Sequence, residues 1–222
     1  MASFFYSLTR TVVLLLWLSS SLYAQDIDQW DKEMAAFKEA DSLQAPTKGG
    51  IVFTGSSSIR LWQHLKEQFP DHHIINRGFG GSQLEDVIAL ADQIIYPYAP
   101  RQVVIYAGDN DLASGKLAEE VAGDFELLFL KIRDRLPAVN IIFLSIKPSP
   151  SRSQYLPEIR KTNQLISQFL KKKRKAAYVD VFSGMLGTDG KPRAELFKAD
   201  SLHINAKGYQ EWAALLSKHL IK

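Results

Sequence analysis

From Gly50 onward the sequence alternates five times between a short apolar run and a longer stretch with helical periodicity. The apolar runs fall at 51–54, 73–76, 102–107, 140–146 and 177–182. Most are apolar throughout rather than at every second position, which is the pattern of strands buried on both faces of a parallel sheet. Between them, Leu61/Leu65/Phe69, Leu84/Val87/Ala91/Ile94, Val121/Phe125/Leu128/Ile132 and Ile159/Ile166/Phe169 recur at the spacing of one helix face. A closing helix is predicted from Tyr209, Trp212, Ala213, Leu216 and Leu220. Parallel neighbours need crossover connections, and crossovers cover both faces of the sheet. The pattern therefore predicts an α/β fold: a three-layer α/β/α sandwich around a five-stranded, mainly parallel sheet, filling 51–222 as one domain.

Two segments precede that domain. Residues 1–24 carry one charge, Arg10, then the apolar run 12–18, three serines and Leu22-Tyr23-Ala24. That run is far short of the ~20 apolar residues needed to span a bilayer. It reads as a secretory signal peptide cleaved after Ala24, predicting an exported chain, periplasmic or secreted, with no stable membrane insertion afterwards. Residues 25–50 form the second segment: Ile27, Trp30, Met34 and Phe37 predict an amphipathic helix, ended by Pro46 and Gly49-Gly50.

Composition narrows the chemistry. Cysteine is absent, which removes thiol nucleophiles, Cys-ligated zinc and disulfide scaffolds. Twenty-seven basic against 24 acidic side chains give +3, too little to imply a nucleic-acid partner. The loop 78–83 lacks the last glycine of a dinucleotide fingerprint, and Gly115-Lys116 lacks the P-loop spacing. No cofactor is expected. The basic run 171–175 reads as cations complementing the negative end of a helix.

In a doubly wound sheet, ligands bind beyond the carboxyl ends of the strands. Those positions hold Gly55-Ser56-Ser57-Ser58, Gly78-Phe79-Gly80-Gly81-Ser82, Gly108-Asp109-Asn110-Asp111 and Lys147-Pro148-Ser149-Pro150. Acyl transfer through a serine needs a hydroxyl, a base titrating near neutrality and donors for the oxyanion. Ser57, at a strand-to-helix turn, presents a hydroxyl, although serines there also serve as helix caps. Asp200 and His203, three apart, would share one side of a helical turn and could pair as carboxylate and imidazole. The glycines of 78–81 let backbone N–H groups approach a ligand. Ser82-Gln83-Leu84-Glu85 reads as a capping box with Ser82 structural, and Asn110 offers a side-chain amide at the same rim. His64 is expected inside a helix and is a poorer base.

These blocks, in this order, resemble the SGNH (GDSL) hydrolase family over roughly residues 51–220. Gly108-Asp109-Asn110-Asp111 and Asp200-Ser201-Leu202-His203 match its motifs in full. The resemblance implies a flavodoxin-like sheet and serine-dependent hydrolysis of carboxylic esters (lipase, acylhydrolase or acetylesterase). It implies Ser57 as nucleophile, His203 as base and Asp200 as its partner, with an oxyanion hole from Ser57, Gly81 and Asn110. Ser56 stands where the family usually has Asp, and Ser82 where Asp is frequent. The substrate would be a small-molecule, glycan or lipid ester. Trp62, Phe79, Tyr106, Lys147, Arg152 and Leu202 are expected near the rim, and the lack of a long insertion predicts an open site favouring small acyl groups. Two alternatives stay open: a non-catalytic glycan-binding module, and a metal-dependent phosphoesterase using Asp109, Asp111 and Asp71-His72-His73.

Overall fold

The structure, a computed structural model, describes residues 30–221. The leader read over 1–24, and Ile27 of the lead-in helix, lie outside the described residues. The chain divides into two units at Gln44/Ala45. In the first, α1 (Asp31–Leu43) is the expected lead-in helix, with Met34 buried. Among the described residues, no helix is long and apolar enough to cross a membrane.

The second unit is built on five strands: β1 (Ile51–Gly55), β2 (Ile74–Gly78), β3 (Gln102–Tyr106), β4 (Asn140–Leu144) and β5 (Ala176–Val179). All pairings are parallel, in the order β2-β1-β3-β4-β5. The order reverses at β1, so the crevice between the carboxyl ends of β1 and β3 is the topological switch point. All five apolar runs are strands, with shifted ends. β2 continues to Gly78, which pairs with Gly55. β5 stops at Val179 because the N–H groups of Val181 and Phe182 turn to Ser145 Oγ, both at 2.9 Å.

The pleat divides the strand side chains between two helical layers. Ile51, Phe53, Val104, Tyr106, Ile142 and Leu144 face one cluster, with Trp62, Tyr209 and Trp212. The helices on that side are α2 (Ser57–Arg60), α3 (Leu65–Gln68) and α8 (Ala206–Leu216). Phe143 points the other way and meets Phe125 at 4.6 Å between ring centroids, with Phe169 behind it. That layer holds α4 (Leu84–Ile94), α6 (Ala118–Arg135) and α7 (Leu156–Leu170); the short α5 (Asp109–Ala113) follows β3.

One expected helix is broken. Leu61, Leu65 and Phe69 do not share a single helix; the chain leaves α2 at Leu61 and re-enters a helix at Leu65. The break turns Trp62 into the core, stacked 5.0 Å from Tyr209, with its indole N–H donated to Gln68 Oε1 at 2.7 Å. His64 is thus the residue before α3 rather than a mid-helix residue.

Candidate active site

Ser57 opens α2 where β1 ends. Gly55 makes that turn: it sits at φ +117°, and a Cβ there would fall 1.9 Å from the Tyr106 carbonyl oxygen. Only a residue without a side chain lets β1 and β3 come this close at the crevice. The next N–H, of Ser56, donates to that same Tyr106 carbonyl at 2.9 Å. Ser56 and Ser58 are buried, whereas Ser57 is partly exposed. Ser56 makes no side-chain capping bond.

The segment 200–203 is a tight bend, not the helical turn expected from its spacing. Ser201 takes the left-handed conformation, φ +57°. Asp200 causes this fold of the chain by accepting the N–H groups of Leu202 and His203 on Oδ1, both at 2.9 Å. A short side chain bonding the backbone two and three residues on stabilises such a bend without helix. Its other oxygen, Oδ2, lies 2.7 Å from His203 Nδ1, and His203 Nε2 lies 3.1 Å from Ser57 Oγ. A carboxylate only accepts, so Nδ1 carries the hydrogen and Nε2 offers its lone pair to the Ser57 hydroxyl. The His203 ring N–H and the two backbone N–H groups hold the Asp200 carboxyl well below the usual carboxylate range. The bend is tied at both sides, by Lys198 N–H to His203 O (2.7 Å) and Ser151 N–H to Ser201 O (3.1 Å).

The glycine loop after β2 is laced to its neighbours. Phe79 N–H donates to Gly55 O at 2.9 Å, and Gly81 is exposed at φ +78°. The capping box lies one residue later than expected: Gln83 precedes α4 and its N–H donates to Asp86 Oδ2 at 2.8 Å. Ser82 is instead buried, its hydroxyl donated to Phe79 O at 3.1 Å. Its carbonyl accepts Asn110 Nδ2–H at 2.9 Å, while Asn110 Oδ1 accepts a hydrogen bond from Arg152 Nη2 at 2.9 Å. A guanidinium only donates and a backbone carbonyl only accepts, so these partners fix which end of the amide is oxygen. One Nδ2 hydrogen of Asn110 remains for a further acceptor.

The two aspartates flanking Asn110 have other partners. Asp109 Oδ2 accepts from Lys147 Nζ at 2.6 Å and lies 3.3 Å from Arg152 Nη1. Burial pushes its carboxyl up, but the two cations outweigh burial and hold it below its ordinary value. Asp111 Oδ1 accepts the N–H of Leu84 at 2.9 Å, and burial raises its pKa to about 6. Neither is gathered with Asp71, His72 and His73 as the metal alternative required; among the described residues, no group of three or more such side chains is placed to hold an ion.

The structure therefore brings Ser57, His203 and Asp200 into one hydrogen-bonded line. It sets Gly81 on the loop tied to Gly55 by Phe79 N–H, and Asn110 in the first turn of α5, just after the strand whose Tyr106 carbonyl accepts Ser56 N–H. Of the rim residues named from sequence, Arg152 and Leu202 are partly exposed. Trp62, Phe79, Tyr106 and Lys147 are buried, because the aromatics complete the core and Lys147 turns inward to Asp109. The chain Lys147–Asp109–Arg152–Asn110 was not read in the sequence. Its signal was there: opposite charges just beyond two strands that proved to be neighbours.

Comparison with known proteins agrees with this architecture. Residues 41–211 match the GDSL-like lipase/acylhydrolase family. The platelet-activating factor acetylhydrolase IB subunit alpha2 of Rattus norvegicus and that of Homo sapiens are each 30% identical over 196 residues, covering 84% of this chain and 82% of the relative. A GDSL-like lipase of Bacteroides thetaiotaomicron superposes with a TM-score of 0.69 at 20% identity, covering 87% of this chain and 96% of its own. A mutant acetyl-xylooligosaccharide esterase of Geobacillus does so with 0.62 at 15%, covering 79% and 96%. With a parallel α/β sheet carrying its serine, histidine and aspartate at one rim, the chain belongs to the GDSL-like lipase/acylhydrolase family, whose members hydrolyse esters.

Proposed function

We propose that the protein is a serine-dependent carboxylic ester hydrolase acting on small acyl groups, acetyl esters foremost. The observation that carries this reading is His203 bridging Asp200 and Ser57 at 2.7 and 3.1 Å. Ser57 Oγ attacks the ester carbonyl as its proton passes to His203 Nε2. Asp200 keeps the ring in the tautomer that can accept this proton and stabilises the imidazolium that results. The oxyanion of the tetrahedral intermediate receives hydrogen bonds from the N–H groups of Ser57 and Gly81 and from Asn110 Nδ2. His203 returns the proton to the leaving alcohol, and a water then repeats the cycle on the acyl-enzyme, releasing the acid and restoring Ser57.

Acetyl specificity is supported from two sides. The curated relatives at 30% identity are named acetylhydrolases, and the sequence holds no long insertion between its elements to wall in a longer chain. Rates on p-nitrophenyl acetate, butyrate and decanoate, with acetylated sugars alongside, test the reading. Fastest turnover on acetyl esters is expected, and a clear preference for decanoate overturns the acyl-size part. Stoichiometric labelling of Ser57 by a phosphonate probe tests the nucleophile directly. The leader over 1–24 supports export, and the N-terminal sequence of the mature protein should begin at Gln25.

A further inference from the structure

Lys147 and Asp109 are almost wholly buried, at 1% and 6% side-chain exposure, with Arg152 beside them at 17%. Burying three charges is a poor way to stabilise a fold, because the desolvation penalty rivals the attraction gained. Their placement calls for another reason. The three form a chain that ends on Asn110: Lys147 Nζ donates to Asp109 Oδ2 (2.6 Å), Arg152 Nη1 lies 3.3 Å from that same oxygen, and Arg152 Nη2 donates to Asn110 Oδ1 (2.9 Å). Lys147 is fixed in turn by donating to the Tyr106 hydroxyl at 3.2 Å.

We propose that Arg152 is the positioning residue of the oxyanion donor Asn110, held in place by the buried Lys147–Asp109 pair; this rests on the ester-hydrolase reading above. Two effects act on one atom. Arg152 and the Ser82 carbonyl grip opposite ends of the amide, so the remaining Nδ2 hydrogen has one direction rather than a range of rotamers. Two cations against one carboxylate also leave a net positive charge behind the amide oxygen. That charge polarises the group and strengthens Nδ2–H as a donor to a developing negative charge. A preorganised donor acts mainly in the transition state, so its loss is read in kcat rather than in KM. The segment carrying Arg152 also touches the base: Ser151 N–H donates to Ser201 O, inside the Asp200–His203 bend.

The test is a double-mutant cycle on p-nitrophenyl acetate hydrolysis with Arg152→Met, Asn110→Ala and both together, and Ser57→Ala as reference. Arg152→Met should lower kcat about 10- to 100-fold with KM little changed, the scale of misplacing a catalytic group by about an ångström. In the Asn110→Ala background it should change kcat by less than about twofold, because its effect has nothing left to act through. Arg152→Lys keeps the cation but lacks the planar fork that spans Asp109 and Asn110, so its kcat should fall between those of the parent and Arg152→Met. If Arg152→Met lacks the parent's circular dichroism and melting transition, Arg152→Lys carries the same cycle. Parental kcat in the Arg152 variants overturns the proposal, as does an equal loss with and without Asn110. Parental activity in Asn110→Ala likewise overturns the proposal, because Arg152 would have no donor to position, whereas parental activity in Ser57→Ala would overturn the underlying ester-hydrolase reading.

Discussion

Ser57 Oγ and His203 Nε2 lie 3.1 Å apart although 146 positions separate them in the chain. The parallel sheet brings β1's carboxyl end to one rim, and α8 anchors the C-terminal segment there through the Tyr209 hydroxyl, which donates to Ser58 O at 2.9 Å. Removing the hydroxyl should silence the enzyme without unfolding it. Ser57→Ala is expected to lose about 10⁶ in turnover, as when an acyl-transfer serine is removed. Its melting temperature should stay near the parent's, because Ser57 fills no core space. Steady-state hydrolysis of p-nitrophenyl acetate and a thermal melt decide both halves.

Asn110→Ala should reduce kcat by about 10²–10³, the usual loss for one oxyanion donor. Binding of substrate should change little. An equal rise in KM with unchanged kcat would mean that the amide holds the ground state instead.

Asp200→Asn replaces an acceptor-only group with one that can hold the wrong imidazole tautomer, so turnover should drop by about 10⁴. The carboxyl sits below its ordinary range in the folded protein. It is therefore ionised at every pH above about 4, and acid inactivation above that point is not its titration. An acid limb centred above pH 4 in the parent's pH–rate profile that disappears in Asp200→Asn would contradict this.

Asp111 gives a stability prediction. Its folded pKa of about 6 lies above the ordinary 3.8, so between those values the folded chain binds more protons than the unfolded one. Stability then falls as pH rises through that window and stays lower above it, by at most about 3 kcal/mol. Asp111→Asn keeps an acceptor for Leu84 N–H without the buried charge. Its urea midpoint should exceed the parent's at pH 8 and lack the parent's decline between pH 4 and 6. A parent whose midpoint climbs across that range, with the climb abolished in Asp111→Asn, would show the sign to be wrong.

Two glycine substitutions should part company. Gly55→Ala places a Cβ 1.9 Å from the Tyr106 carbonyl at φ +117° and should destabilise by more than about 4 kcal/mol, or prevent folding. Gly123→Ala, exposed within α6 with nothing within 4 Å of the new atom, should stabilise by about 0.5–1 kcal/mol. Denaturant midpoints of the two variants against the parent check the contrast.

The sheet was legible because buried parallel strands are written as unbroken apolar runs, and Ile51, Val103 and Ile141 each announce one. The strand ends were not. Val181 and Phe182 are as apolar as the strand before them, yet Ser145 Oγ draws their N–H groups off the ladder. Local periodicity also misled at Leu61, where the core's demand for Trp62 outweighed continuity of a helix. Around the site, residue types at strand ends offered Ser57 and Asn110, the Asp200–His203 spacing offered a base, and the family resemblance implied their roles. The bend at Ser201 was hidden, since a left-handed serine depends on what Asp200 accepts rather than on its own identity. The path from Lys147 to Asn110 was hidden for a related reason: which strands are neighbours has to be known before charges at their ends can be paired.

The tie between Tyr209 and Ser58 also has a temporal consequence. Ser57 is translated first, His203 146 positions later, and α8, whose Tyr209 hydroxyl donates to Ser58 O, later still. A nascent chain that has not reached His203 holds Ser57 without the imidazole beside it, and one ending between His203 and α8 lacks the Tyr209 hydroxyl bond to Ser58 O. Under the ester-hydrolase reading, activity thus waits until the segment carrying His203 and Tyr209 has been made and docked, and a copy without it is inert.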